Sequence, residues 1–254
     1  MEAKKKNLIL TTFLFSSLFA FACLHSATAQ DMRAEDSEVR AARTARDAAA
    51  VEELQKIIAA KKKEATETNS FDAYLRMALF HVWLCEAIES SGKNALFKEA
   101  AEQGVAAAEK AVTLKPQSSE AHQLLGDLLN QLIPHVLGGG MRYGARATDE
   151  IEKALELNPQ NVDALVSRAI VYYYTPRNFG GSKPKAFAML EKAAEIDVKA
   201  DSPRIWLAFF NLDAKKNQEA LRHILAARQI NPNRAFTNYV HDQVKAATKK
   251  TKRG

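Results

Sequence analysis

The residues in this 254-residue chain whose types could carry chemistry are six histidines, two cysteines, a run of three glycines and some acidic pairs. A helical metal site needs two ligands at i, i+4 with a third nearby. His81, His122, His135, His223 and His241 lie in separate stretches and make no such pair, and His25 sits in an apolar leader. No Gly-x-Ser-x-Gly nucleophile elbow occurs, and Gly138-Gly139-Gly140 lacks the Lys-Thr ending of a phosphate loop. Glu52-Glu53 and Asp149-Glu150 read as solvated faces or first-turn charges. Cys85 lies in an apolar stretch, where a thiol packs as a small hydrophobe. No catalytic residue, metal site or cofactor is assigned, and the reading is non-enzymatic.

The ends set the compartment. Lys4, Lys5 and Lys6 precede an apolar stretch from Leu8 to Leu24, and Ala27-Thr28-Ala29 follows. That order is a signal peptide cleaved near Ala29-Gln30, giving an exported, periplasmic or secreted protein. Lipid attachment at Cys23 is the alternative. The apolar run falls short of the ~20 residues a stable membrane span needs. Cleavage leaves Cys85 as a lone thiol, which excludes an internal disulfide framework. The net charge is +6, and Lys245, Lys249, Lys250, Lys252 and Arg253 crowd the last ten residues without an acid. The basic excess thus belongs to the tail. No basic stripe interleaved with aromatics marks the body, which argues against nucleic acid.

The elements between these ends recur. Helical stretches stop at Leu114-Lys115-Pro116, Leu157-Asn158-Pro159 and Ile230-Asn231-Pro232, with a weaker copy at Ile196-Asp197-Val198. An alanine stands five residues before the last position of each, at Ala111, Ala154, Ala193 and Ala227. Internal repetition of this kind fixes the architecture first. Residues 31–68, without Pro or Gly, predict one long helix broken at Thr66–Ser70. Helix pairs follow: Phe71–Ser90 with Asn94–Leu114, Glu120–Leu132 with a helix opening near Thr148, Val162–Tyr174 with Lys185–Ile196, and Pro203–Asp213 with Gln218–Ile230. Ser118 or Ser119, Asn161 and Ser202 are the expected N-caps. The division is 1–29 signal peptide, 30–68 N-terminal helix, 69–232 repeat domain, and 233–254 capping helix with basic tail.

These pairs resemble the tetratricopeptide repeat (TPR) family. Leu125-Gly126 with Leu129, and Leu165, Ala169 and Tyr172, match its first helix; Met77-Ala78 and Leu207-Ala208 fill the paired position elsewhere. Ala147, Ile151, Ala154 and Pro159, and Ala220, Ile224, Ala227 and Pro232, match its second. Ala186, Leu190 and Ala193 match without the proline. The resemblance implies an all-α, right-handed superhelical solenoid of about four irregular repeats with flanking helices. Spacing departs from the standard: Ala208 to Pro232 is 24 residues, but Gly126 to Pro159 is 33. The extra residues form two similar loops, Pro134-His135-Val136-Leu137-Gly138-Gly139 and Pro176-Arg177-Asn178-Phe179-Gly180-Gly181. Such loops resemble the periplasmic T-component of tripartite ATP-independent (TRAP) transporters. That resemblance implies a central pore, a docked substrate-binding protein and a hydrophobic ligand.

First helices of such a solenoid line its concave face. Projecting the pattern puts Glu120, Gln123, Asp127, Asn130 and Gln131 inward from one helix. Val166, Ile170, Tyr173 and Tyr174 follow from the next, then Ile205, Phe209 and Leu212. The wall is expected to be polar at one end and aromatic-aliphatic at the other, with the apolar end taking a peptide or an acyl-like ligand. The opposing expectation is that Tyr173, Tyr174 and Phe209 pack under the insert loops. The functional expectation is an exported adaptor or scaffold in the cell envelope that binds a protein or peptide. A T-component-like accessory is the alternative.

Overall fold

The computed structural model describes residues 36–251. The leader, Cys23 and the tail residues Lys252 and Arg253 lie outside them. The chain divides into two compact units, 1–41 and 42–254. Eleven α-helices make up the described residues, with no strand among them. They are α1 (Ser37–Asp47), α2 (Val51–Thr68), α3 (Phe71–Ser91), α4 (Phe97–Leu114), α5 (Ser119–Leu132), α6 (Gly139–Leu157), α7 (Val162–Tyr174), α8 (Lys183–Ile196), α9 (Ser202–Asp213), α10 (Asn217–Ile230) and α11 (Ala235–Thr251).

The single helix expected over 31–68 is two helices. The break falls at Ala48–Ala50, where Ala49 adopts a left-handed φ of 52°. Alanine gives no breaker signal, so the turn is set by packing rather than by local propensity. The return helix expected near Thr148 begins earlier, at Gly139. Elsewhere the caps follow the sequence. Ser118 accepts from the Ala121 amide and Asn161 from the Ala164 amide. Ser202 is instead the first residue of α9, with Asp201 before it.

The recurring phrase has a physical basis. In each second helix the residue before the terminal Pro or Val donates its amide to the carbonyl of the repeated alanine: Lys115 to Ala111 at 2.9 Å, Asn158 to Ala154 at 2.9 Å, Asp197 to Ala193 at 3.2 Å and Asn231 to Ala227 at 3.0 Å. Proline cannot continue a helix, so the chain turns there. All four alanines are fully buried. They give the closest approach to the neighbouring helix. Gly126 does the same on α5, since a Cβ there would lie 2.5 Å from Ile151 on α6. Ile151, Ala147 and Ala154 present a fully buried stripe to that glycine.

Within the second unit each second helix packs between the first helix of its own pair and that of the next. Successive first helices also touch: α3 with α5, α5 with α7, α7 with α9, and α9 with α11. The stack therefore curves with the first helices on its inner side. α11 also packs against α3, so the last helix meets the first pair.

Candidate functional site

The inner wall begins on α5. Gln123 donates its side-chain amide to the Asp127 carboxylate at 2.7 Å. Gln123 is only 3% exposed, and its Oε1 has no hydrogen-bond partner. Gln131 Oε1, two turns further along the same helix, is buried and unpartnered as well. Unsatisfied buried acceptors of this kind are costly, and they call for a donor. Asp127 is half-buried, and burial pushes its carboxyl up to about 7. The nearby Asp163 charge adds to the rise, while hydrogen bonds from Ser167 and Gln123 oppose it. The Ser167 hydroxyl also lies 2.8 Å from the Asp163 carbonyl oxygen, so it has one proton to divide between two acceptors. At neutral pH the Asp127 carboxyl stands near its own midpoint.

The other end is built of rings. Tyr173 stacks on Phe210 with ring centroids 3.7 Å apart and planes 9° from parallel. Phe187 and Tyr174 meet this pair edge-on. Trp206 joins Phe209, Phe210 and Phe236. The Tyr173 hydroxyl donates to the Asp213 carboxylate at 2.6 Å, and Lys183 donates to that carboxylate at 3.2 Å. The Tyr173 hydroxyl is thus matched to a charged pair, and the rings grip one another.

The twelve residues projected onto the wall thus divide, with Gln131 and Leu212 half-exposed. Val166 and Tyr173 sit in one buried cluster and Ile205 in the next, where they support the wall rather than line it. Gln123 is buried with only its amide edge unspent. Glu120, Asp127, Asn130, Ile170 and Phe209 are half-exposed, and Tyr174 is 57% exposed. At the aromatic end Tyr173 packs against Phe210 and Phe187, Phe209 is half-exposed and Tyr174 keeps an open face.

The other chemistry-bearing residues are tied. Both ring nitrogens of His122 are engaged, by Glu150 at 2.6 Å and by the Pro116 carbonyl at 3.0 Å. Glu150 is therefore not a purely solvated charge. His81 is buried beneath α4, and burial drives its pKa down to about 4. His135 stacks on Phe97 at 3.9 Å. Cys85 is buried, which pushes its thiol well above the usual range. Among the described residues no three His, Cys, Asp or Glu side chains gather as metal ligands.

One cluster escaped the sequence reading. Arg234, just before α11, donates two hydrogen bonds to Glu86 of α3, at 2.7 and 2.5 Å, and a third to Asp201 at 2.7 Å. Arg46 stacks over Trp83 and pairs with Asp47, whose other oxygen accepts from Asn231 at 3.0 Å. Burial alone would raise the Glu86 carboxyl, but the charge and bonds of Arg234 hold it below its ordinary value. The cue was Glu86 itself, a lone carboxylate inside the apolar run Trp83-Leu84-Cys85-Glu86-Ala87-Ile88. Such a charge needs a buried partner.

Compared by sequence, the chain matches no family model and no curated protein. Compared by structure, it is similar to TTC0263, a thermophilic TPR protein of Thermus thermophilus. The TM-score is 0.58 at 17% identity, over 84% of this chain and 99% of that one. The fold is a TPR-like helical solenoid. MamA follows with a TM-score of 0.39 at 17% identity, covering 80% of this chain and 92% of that one. YrrB, described as a TPR protein with an unusual peptide-binding site, gives 0.38 at 20% identity, covering 75% and 84%. At these identities the TTC0263 likeness speaks for the fold alone.

Proposed function

We propose that this protein is an exported, non-enzymatic adaptor that holds an extended peptide segment of another envelope protein against its inner wall. The reading rests on the half-exposed polar face of α5, where Glu120, Asp127 and Asn130 stand together on the inner wall. An extended peptide supplies backbone N–H and C=O groups at regular spacing, which the carboxylates of Glu120 and Asp127 and the Asn130 amide can meet. The half-exposed Ile170, Phe209 and Tyr174 add apolar contact beyond it. Capture from envelope extract with the parent and with Asn130→Ala tests this. The parent should retain a partner that the variant loses while its circular dichroism is unchanged. Equal capture by both removes the polar end from the site. Export is tested by N-terminal sequencing of the secreted or periplasmic protein, which should begin at Gln30; a lipid on Cys23 would show instead as added mass.

A second reading, a T-component-like carrier of a hydrophobic ligand, is favoured by one observation, the meeting of α11 with α3 through the buried Arg234–Glu86 pair. A stack whose ends meet can enclose an acyl chain. Native mass spectrometry of protein purified from its own host should then show a co-purifying lipid. A ligand-free mass would leave the adaptor reading alone.

A further inference from the structure

The two insert loops are one device built twice. In the first, Ile133–His135 forms a 3₁₀ turn, Leu137 follows, Gly138 is left-handed at φ 71°, and a Cβ on Gly139 would lie 2.3 Å from the Ile133 carbonyl oxygen. In the second, Arg177–Phe179 forms the 3₁₀ turn, Gly180 is left-handed at φ 92°, and a Cβ on Gly181 would lie 1.7 Å from the Thr175 carbonyl oxygen. The offset between carbonyl and glycine is the same in both. The left-handed glycine and the close-packed one return the chain to the helix end. The residue before them, Leu137 or Phe179, is left pointing into solvent. Leu137 and Met141 are almost fully exposed and Phe179 is 76% exposed.

The two tips share an edge. Asn161, the cap of α7, donates to Ser119 at the start of α5 at 2.8 Å, so these two touching first helices begin together. They are 14 and 13 residues long, so their C-terminal ends, and the loops that follow, emerge side by side. At the far end of α7, the Tyr173 and Lys183 bonds to Asp213 bring the end of α9 to the same edge. The three turns there, residues 133–142, 175–186 and 214–216, carry Arg142, Arg177, Lys183, Lys185, Lys215 and Lys216 and no acidic residue. On the opposite edge, turns 115–118, 158–161 and 197–201 carry Lys115 and Lys199 against Asp197 and Asp201.

We propose that this edge docks on an anionic phospholipid bilayer, with Leu137, Met141 and Phe179 entering the headgroup–acyl boundary and Arg142, Arg177, Lys185, Lys215 and Lys216 facing the lipid phosphates. Isolated protruding apolar tips ringed by Lys and Arg are what an interfacial anchor requires. An acidic polymer such as nucleic acid would use the cations but leave three exposed apolar side chains without a role. The acids beside this edge are already engaged, Asp213 by Lys183 and Tyr173 and Glu219, in the first turn of α10, by Arg222. Among the described residues no helix is long and apolar enough to cross a membrane.

The test uses the full chain carrying Cys23→Ser, with an environment-sensitive fluorophore on Phe179→Cys or, at the opposite edge, on Val198→Cys. Cys85 is buried and stays unlabelled. With vesicles of phosphatidylcholine containing phosphatidylglycerol, the probe at 179 should shift to the blue. It should not shift with phosphatidylcholine alone, and high salt should reverse the effect. The probe at 198 should stay unmoved, which separates docking by this edge from attachment through the leader. Adding Arg177→Gln, Lys185→Gln and Lys215→Gln should weaken partition by about fivefold each, about a hundredfold together. Three results overturn the proposal: no shift at 179 with the anionic vesicles, an equal shift at 198, or a shift at 179 produced only by an acidic protein or nucleic acid.

Discussion

The two ends of the inner wall differ in how completely they are satisfied. Around Tyr173 and Phe210 the rings are stacked and the Tyr173 hydroxyl is matched to a carboxylate. Around Gln123 and Asp127 two amide oxygens have no donor and a carboxyl is half-desolvated. A groove read by hydrophobicity points to the first region as the gripping end. Satisfaction of polar groups points to the second. Surface that is already spent on internal contacts has little left for a partner, so unspent hydrogen-bond capacity is the better guide here.

Four substitutions put that contrast at risk. Phe210→Ala removes the fully buried ring beneath Tyr173 and should cost about 3–5 kcal/mol in urea unfolding. A loss below ~1 kcal/mol would mean that the aromatic end is not core. Asp127→Asn acts in the other direction. The native state holds the Asp127 proton more tightly than the unfolded chain, up to about 7 against an ordinary 3.8. Its contribution is therefore complete below the ordinary value and is lost as pH rises through the folded one. The amide escapes that loss, so at pH ~8 its melting temperature should exceed the parent's by ~3–6 °C, with the gain shrinking toward pH ~4. A gain of the same size at every pH would disconnect it from ionisation. Tyr173→Phe keeps the stack and removes the bond to Asp213, so about 0.5–1.5 kcal/mol should be lost. Tyr174→Ser should change stability by less than ~0.5 kcal/mol, because more than half of that ring faces solvent. A larger loss would extend the spent region over Tyr174.

The helix pairs were legible because their signals are local and repeated. The Ala-x-x-x-x-Pro phrase, the caps at Ser118 and Asn161 and the small residue at Gly126 each carry their cause within a few residues. What stayed hidden depended on distant partners. Tyr172, Tyr173 and Tyr174 are identical in type, so only the position of Phe210 decides which ring is buried. Adjacent Phe209 and Phe210 pose the same question, and projection chose the more exposed of the two. Arg234 follows Asn231-Pro232 and reads as a surface loop cation; its partner, Glu86, lies 148 residues away. The turn at Ala48–Ala50 has no breaker residue at all.

The Arg234–Glu86 junction changes what kind of object this repeat protein is. An open row of repeats behaves like a spring: units can be gained or lost at either tip, and each is stabilised by its immediate neighbours. Here the terminal coil is buttoned to the first pair by a charge pair shielded from water, and removing one partner strands the other. Trimming one tip therefore weakens the other, so the number of units is fixed and denaturation should proceed in one cooperative step instead of fraying inward from the ends.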